Sequence, residues 1–139
     1  HTNPELAEKT RRSPTPCARR VKQLQDSGII KPQVTLLDAS KLELKLIALI
    51  QISMDRHTPD RFEIFEEKVR SFPEVTECLL ITGQSADYQL KVFVPDMEYY
   101  QEFLLNKITK IEGVTDVHSS FILREVLSTT ELPLTHIQS

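Results

Sequence analysis

The chain has 139 residues, 40% of them hydrophobic and 27% charged, with three glycines, two cysteines and a formal charge of −3. That length suits one ordinary domain, or a small module beside a compact one. No apolar run approaches the roughly 20 residues of a membrane helix, and HTNPELAEKT has no apolar stretch behind a basic tip, so no membrane span and no secretory leader are expected and the default location is cytoplasmic.

Residues 5–10 (ELAEKT) read as a short helix with Leu6 and Ala7 inward. Ser13-Pro14 is a helix start, because serine accepts from first-turn amides and proline tolerates the first helical position. Cys17, Val21, Leu24 and Gln25 continue a helical stripe, Arg19, Arg20, Lys22 and Gln23 point outward, and Gly28 stands where a left-handed residue ends a helix. Residues 29–38 (IIKPQVTLLD) read as two short strands around Lys31-Pro32, a wing or a lead into a linker, and the polar Asp38-Ala39-Ser40-Lys41 as the domain boundary.

Residues 43–54 place Leu44, Leu46, Ala48, Ile50, Ile52 and Met54 on one face at period two. Pro59-Asp60 opens a helix with Phe62, Phe65, Val69 and Phe72 at helical spacing, and Pro73 stops it. Residues 75–83 form a strand ending at a glycine, with 87–94 as its hairpin partner. Pro95-Asp96 starts a helix whose inner face holds Tyr100, Phe103, Leu104, Ile108 and Ile111; Gly113 closes it, and 114–126 form a last strand before an extended tail. The order is β-α-β-β-α-β, so the fold class is α+β, with a ferredoxin-like βαββαβ domain over 39–139 behind a helix-turn-helix region over 1–38.

Both helices of this motif cover one face of the sheet. On the strands, Ile47 and Leu49 lie opposite the first apolar stripe; Val75, Leu79 and Ile81 oppose Cys78 and Leu80; Ile122 opposes Val117, Phe121 and Leu123. The second face is therefore too apolar for a monomer, and sheet-to-sheet dimerisation is expected. Cys17 and Cys78 lack a second Cys or a His at ligand spacing, so no metal is expected and both read as small buried residues.

Charge is uneven. Residues 1–33 hold seven basic against three acidic side chains, giving +4, while the remainder holds 10 against 17, giving −7. A basic head on an acidic body points to a polyanion meeting only the head. In a helix-turn-helix the second helix enters the major groove, which makes Ser13, Thr15, Pro16, Arg19, Arg20 and Lys22 the candidate DNA-facing set, with first-turn amides as a phosphate site. The alternative is a solvated basic helix.

Residues 13–30, SPTPCARRVKQLQDSGII, with VTLLDASKL, ECLLITGQSADYQLKVFVPDM and SSFILREVLSTTELPL, resemble the Lrp/AsnC (feast/famine) family of transcription regulators across essentially the whole chain. The resemblance implies double-stranded DNA as a partner and dimers assembling commonly into octamers. It also implies amino-acid effectors bound between dimers, with no other cofactor. It places the effector site at the turn Gly83, Gln84, Ser85, Ala86, Asp87 and Tyr88, with Ser119 and Ser120 from the last strand. Loop amides suit an α-carboxylate, Asp87 an α-ammonium, and Tyr88 the ligand's side chain; a plain, well-made hairpin is the competing reading. The family further implies a helix ahead of ELAEKT. Lacking it, Leu6, Val21 and Leu24 are short of partners, and the helix-turn-helix reads as incomplete. Alternatives are a stand-alone amino-acid sensor acting through protein partners, and an enzyme using His118 between two sheets. His57 beside Asp55 and His118 near Asp116 have no nucleophile or carboxylate pair at motif spacing, so no catalytic residue is assigned. These 139 residues are expected to bind DNA poorly by themselves; a tight, sequence-specific gel shift would overturn this.

Overall fold

The computed structural model describes residues 15–137. The expected helix at 5–10 and the expected cap at Ser13 lie outside the described residues. The chain divides into two compact units, one ending at Leu37 and the other beginning at Asp38.

In the first unit, helix α1 runs Pro16–Asp26. Its N-cap is Thr15, whose side chain accepts from the Ala18 amide at 3.1 Å. Helix therefore starts two residues later than Ser13-Pro14 suggested. The reason is Pro16: a residue before proline is pushed out of the α region, and Thr15 is extended at φ −62°, ψ 156°. The half-buried stripe is Ala18, Val21, Leu24 and Gln25, and Cys17 is exposed, so the inward face is turned one residue from the expected one at its start. Gly28 has φ +84° and closes the helix end as expected, with its amide on the Gln25 carbonyl and that of Ile30 on Leu24. The two strands expected over 29–38 are absent. A strand needs a ladder partner and Pro32 removes a donor; residues 31–38 hold no regular element and are exposed, Val34 and Leu36 each at 76%.

The second unit opens with a 3-10 turn at Ser40–Leu42, where the Asp38 carboxylate accepts from the Ser40 amide and hydroxyl. Glu43 turns left-handed at φ +64°, which delays the first strand to β1, Leu46–Met54. Its alternate residues Ala48, Ile50 and Ile52 are fully buried, as the period-two pattern requires. Then follow α2 (Pro59–Arg70), β2 (Val75–Leu80), β3 (Tyr88–Val94), α3 (Met97–Phe103) with a π-helical turn at Leu104–Ile108, and β4 (Val114–Phe121). The sheet order β2-β3-β1-β4, antiparallel throughout, is the βαββαβ fold. Phe65 and Val69 from α2, Tyr100 and Phe103 from α3, and Ile108 and Ile111 beyond it close one face over Ile50, Ile52, Leu90 and Val92.

Two strands are shorter than expected. β2 ends at Leu80 and β4 at Phe121, one residue before the Ile122 amide makes its bond to the Ile47 carbonyl. The register assigns the faces: Val117 aligns with Ile52, Phe121 with Ala48, Cys78 with Leu90 and Leu80 with Tyr88, all on the helix side. The open face holds Ile47, Leu49, Leu79 and Phe93, interrupted by Gln51, Gln89, Lys91, His118 and Ser120. Lys91 there reaches Glu125 of the tail at 3.9 Å. Cys78 is exposed, not buried, because β2 is an edge strand; burial of its sulfur and the nearby Glu66 still push the thiol up, so it stays protonated.

Gly113 (φ +93°) sits where a Cβ would meet the Arg61 Cδ at 2.7 Å, the Met54 Cε at 3.0 Å and the Asp55 Oδ1 at 3.1 Å. Arg61 is held there by Asp55 at 3.2 Å and Glu112 at 2.9 Å, so it cannot simply swing away. Gly113→Ala is expected to lower unfolding free energy by roughly 2–3 kcal/mol in urea titrations, combining strain with the clash. Gly83→Ala, with φ +95° but open space around it, is expected to cost only about 1 kcal/mol. Equal losses would contradict the packing account.

Candidate functional site

Three of the expected effector residues, Gly83, Gln84 and Ser85, lie exposed on the turn between β2 and β3, while Ala86 is buried at 5%. The Ile81 amide on the Asp87 carbonyl closes the hairpin at 2.9 Å, and Gly83 supplies the positive φ. What fixes the turn is its attachment to the end of β1. The Asp87 amide donates to the Ile52 carbonyl at 2.8 Å, the Asp87 Oδ2 accepts from the Met54 amide at 2.7 Å, and the Ser53 hydroxyl donates to the Ser85 carbonyl at 3.3 Å. Asp87 does bond backbone, as its turn chemistry suggests, but backbone 33 residues away.

The second Asp87 oxygen, Oδ1, meets the His57 Nε2 at 2.9 Å. His57 therefore pairs with Asp87 and not with the adjacent Asp55, which binds Arg61. No spacing rule links positions 57 and 87; only the hairpin brings them together. His57 remains 65% exposed on its side chain, whereas that of Asp87 is 17% exposed. Within this chain the carboxylate thus holds the turn first, and any ligand ammonium would share an oxygen already engaged.

Tyr88 occupies a different environment from the one expected of a ligand-selecting ring. It is 1% exposed, stacked on Phe65 at 4.4 Å between centroids and edge-on to Phe62 at 5.5 Å. Its hydroxyl donates to the Glu66 carboxylate at 2.5 Å. Burial and then Glu66 push the phenol far above its ordinary range. Ser119 and Ser120 lie on opposite faces of β4. Ser119 aligns with the buried Ile50 and its hydroxyl bonds that of Tyr100; Ser120 aligns with Leu49 on the open face. One chain therefore does not gather the turn and both serines into one pocket. On the open face near the same end stand the Gln51–Gln89 amide pair, at 3.4 Å, and His118 bonded to Asp116 at 3.0 Å. Sequence reasoning missed the amide pair, which becomes visible only once the Gln51↔Gln89 register is known.

On the first unit, Arg19, Arg20 and Lys22 are all exposed on α1. The helix start is a weaker phosphate site than expected. Pro16 has no N–H, the Ala18 amide bonds the Thr15 hydroxyl and the Arg19 amide bonds the Thr15 carbonyl. Among the described residues no group of three His, Cys, Asp or Glu is placed to hold a metal, and no helix is long and apolar enough to cross a membrane.

Residues 47–132 match the family model of the Lrp/AsnC ligand binding domain, and residues 1–31 that of a winged helix-turn-helix DNA-binding module. The leucine-responsive regulatory proteins of Klebsiella pneumoniae and of Escherichia coli K12 are each 35% identical over 131 residues, which cover 94% of this chain and 79% of theirs. A transcriptional regulator from Neisseria meningitidis, solved as a complex with L-Met, is 43% identical with a TM-score of 0.84, over 98% of this chain and 87% of its own. An AsnC family transcriptional regulator from Agrobacterium tumefaciens is 37% identical with a TM-score of 0.83, over 99% and 89%.

Asp87→Ala deletes both the Met54 acceptor and the His57 partner. It is expected to cost about 1–3 kcal/mol in stability and to speed hydrogen exchange at the Met54 amide well beyond that at Ile50. Unchanged exchange at Met54 would show that the carboxylate does not hold the turn.

Proposed function

This chain belongs to the Lrp/AsnC family of transcription regulators, and we propose from that premise how its two parts divide the work. The DNA-binding part is residues 1–38 and the effector-binding, self-associating part is residues 39–139. The observation that carries the effector reading is the turn at 81–87, tied to β1 through Asp87 while Gly83, Gln84 and Ser85 stay exposed. Amides of an exposed turn held in place suit the α-carboxylate of an amino acid, at low reorganisation cost. L-Met in the Neisseria relative makes an amino acid the ligand class to test first.

Asp87 positions the turn and His57 adds a polar group beside it; Ser120, Gln51 and Gln89 line the open face nearby. Tyr88 and Ala86 support the turn from the core, and Ser119 acts through Tyr100. The site needs a second copy, because the open face presents Ile47, Leu49 and Phe93 while the tail leaves Leu123 at 99% and Leu127 at 81% exposed. A homo-oligomer, a dimer at least and an octamer by family likeness, closes these surfaces against each other. The effector then favours one assembly state and changes the number and spacing of α1 helices offered to DNA. Ser13 and Thr15 contact the backbone, Arg19 and Arg20 read bases or phosphates, Lys22 neutralises phosphate, and Pro16 fixes the helix start. The protein acts in the cytoplasm and has no catalytic role.

A thermal-shift screen of the twenty amino acids, L-methionine first, is expected to find a stabiliser worth about 2.7 kcal/mol at a hundredfold excess over its Kd. Stabilisation by none would remove the effector assignment. With DNA, in the full-length protein, Lys22→Ala is expected to reduce the salt slope by about 1, and Arg20→Ala to cost about 1–3 kcal/mol at one base position. A monomer in sedimentation at working concentration would remove the assembly mechanism.

A further inference from the structure

Glu74 is a buried charge that neither the core nor the turn site explains. It is 8% exposed and lies just ahead of β2, at the end of the β2–β3 hairpin opposite the turn. Its carbonyl accepts from the Phe93 amide at 3.0 Å, which fixes its backbone. Its Oε2 receives the Tyr99 hydroxyl at 2.7 Å and stands 3.6 Å from the Lys107 ammonium. Its Oε1 is enclosed and, among the described residues, has no hydrogen-bond partner. Burial pushes this carboxyl up, but the Tyr99 hydroxyl, its own backbone amide and Lys107 more than offset that, so it is ionised at neutral pH. A half-satisfied buried carboxylate is costly.

The carboxylate lines a hollow of about 500 Å³ walled by Pro95, Tyr99 and Phe103. Asp96, Glu98 and Glu102 add three acids to the same lining. Asp96 caps α3 through the Tyr99 amide, and Glu102 accepts from Asn106. Against four carboxylates stands one lining cation, Lys107. Its side chain is 47% exposed and its ammonium stands 3.6 Å from Glu74, over the Phe72 and Phe103 rings at 5.7 Å and 6.0 Å. The lysine occupies the cation position without filling it.

We propose that this hollow is a second ligand site, selective for an alkylammonium or alkylguanidinium ion whose head displaces Lys107 at Glu74 and whose stem lies along Tyr99 and Phe103. A guanidinium can take the place of the Lys107 ammonium at the Glu74 Oε2, and the aromatic walls favour a cation over a neutral head. The acids repel carboxylate ligands, so the free amino acids suited to the 81–87 turn are poor ligands here. The two sites are separate in position and in chemistry.

Isothermal titration of the full chain with n-butylguanidinium and n-pentylammonium, against 1-pentanol as the neutral control, tests this. Both cations are expected to bind once per chain and pentanol not at all, with the stoichiometry kept under saturating L-methionine. Glu74→Gln keeps the Tyr99 acceptor and is expected to weaken binding about tenfold or more. Lys107→Gln removes the internal competitor and is expected to tighten it severalfold. Should Glu74→Gln fail to fold, the Lys107→Gln gain and a loss in Glu98→Gln/Glu102→Gln decide the matter. No heat from either cation in the parent chain and in Lys107→Gln, equal binding of pentanol, or unchanged affinity in Glu74→Gln would each overturn the proposal. So would a change of sedimenting mass in Lys107→Gln without cation binding, which would mean that the hollow seats another copy of the chain.

Discussion

Ala48, Ile50 and Ile52 are fully buried because α2 and α3 close on the same side of the sheet. A right-handed βαβ connection leaves a four-stranded sheet of this order no helix for its other face. Everything functional follows from that asymmetry. The covered face supplies the stability, through aromatic and branched side chains packed at period two against helical stripes. The uncovered face, part apolar and part amide, is left to meet the tail, a ligand or a second copy.

The same asymmetry explains why the turn at 81–87 is anchored by a carboxylate and not by packing. At its tip Gly83, Gln84 and Ser85 are exposed. Asp87 substitutes hydrogen bonds for burial by reaching the Met54 amide at the point where the β1–β4 register shifts and the ladder is irregular. Satisfying a strand amide at an irregular position and fixing a loop are one interaction. That economy makes Asp87 an organising residue of the turn, whatever ligand contacts it also makes.

Where periodicity fixes a face, the sequence was legible. The β1 stripe, the Phe62-Phe65-Val69-Phe72 row and the βαββαβ order all follow from periods of two and of three to four, and Gly83 marked the turn. Tyr88 was legible too, since it alternates with Leu90, Val92 and Val94, but its place in a functional turn drew attention from its place on a core face. Residues 29–38 looked like strands because they have strand composition, and composition says nothing about a partner. Thr15 caps the helix because Pro16 holds it extended. The His57–Asp87 and Glu74–Tyr99 pairs left no trace, being contacts between residues 30 and 25 positions apart whose meeting depends on the finished hairpin.

On the proposed reading, the β2–β3 hairpin has a ligand place at each end, and neither includes a residue of the unit that contains α1. A ligand at either end can then alter DNA binding only by preferring one global state of the assembled protein. Moving such an equilibrium from 1:99 to 99:1 takes about 5.5 kcal/mol, roughly twice what one site supplies at a hundredfold excess over its Kd. A single chain with a single effector therefore makes a weak switch. Several copies that change state together add their sites to one equilibrium, and a second class of site adds to it again, with reciprocal effects on the affinity of each ligand for the other. The half-apolar face that drives chains together and the ligand sites that need company to be effective are, on this argument, two consequences of one sheet covered on one side.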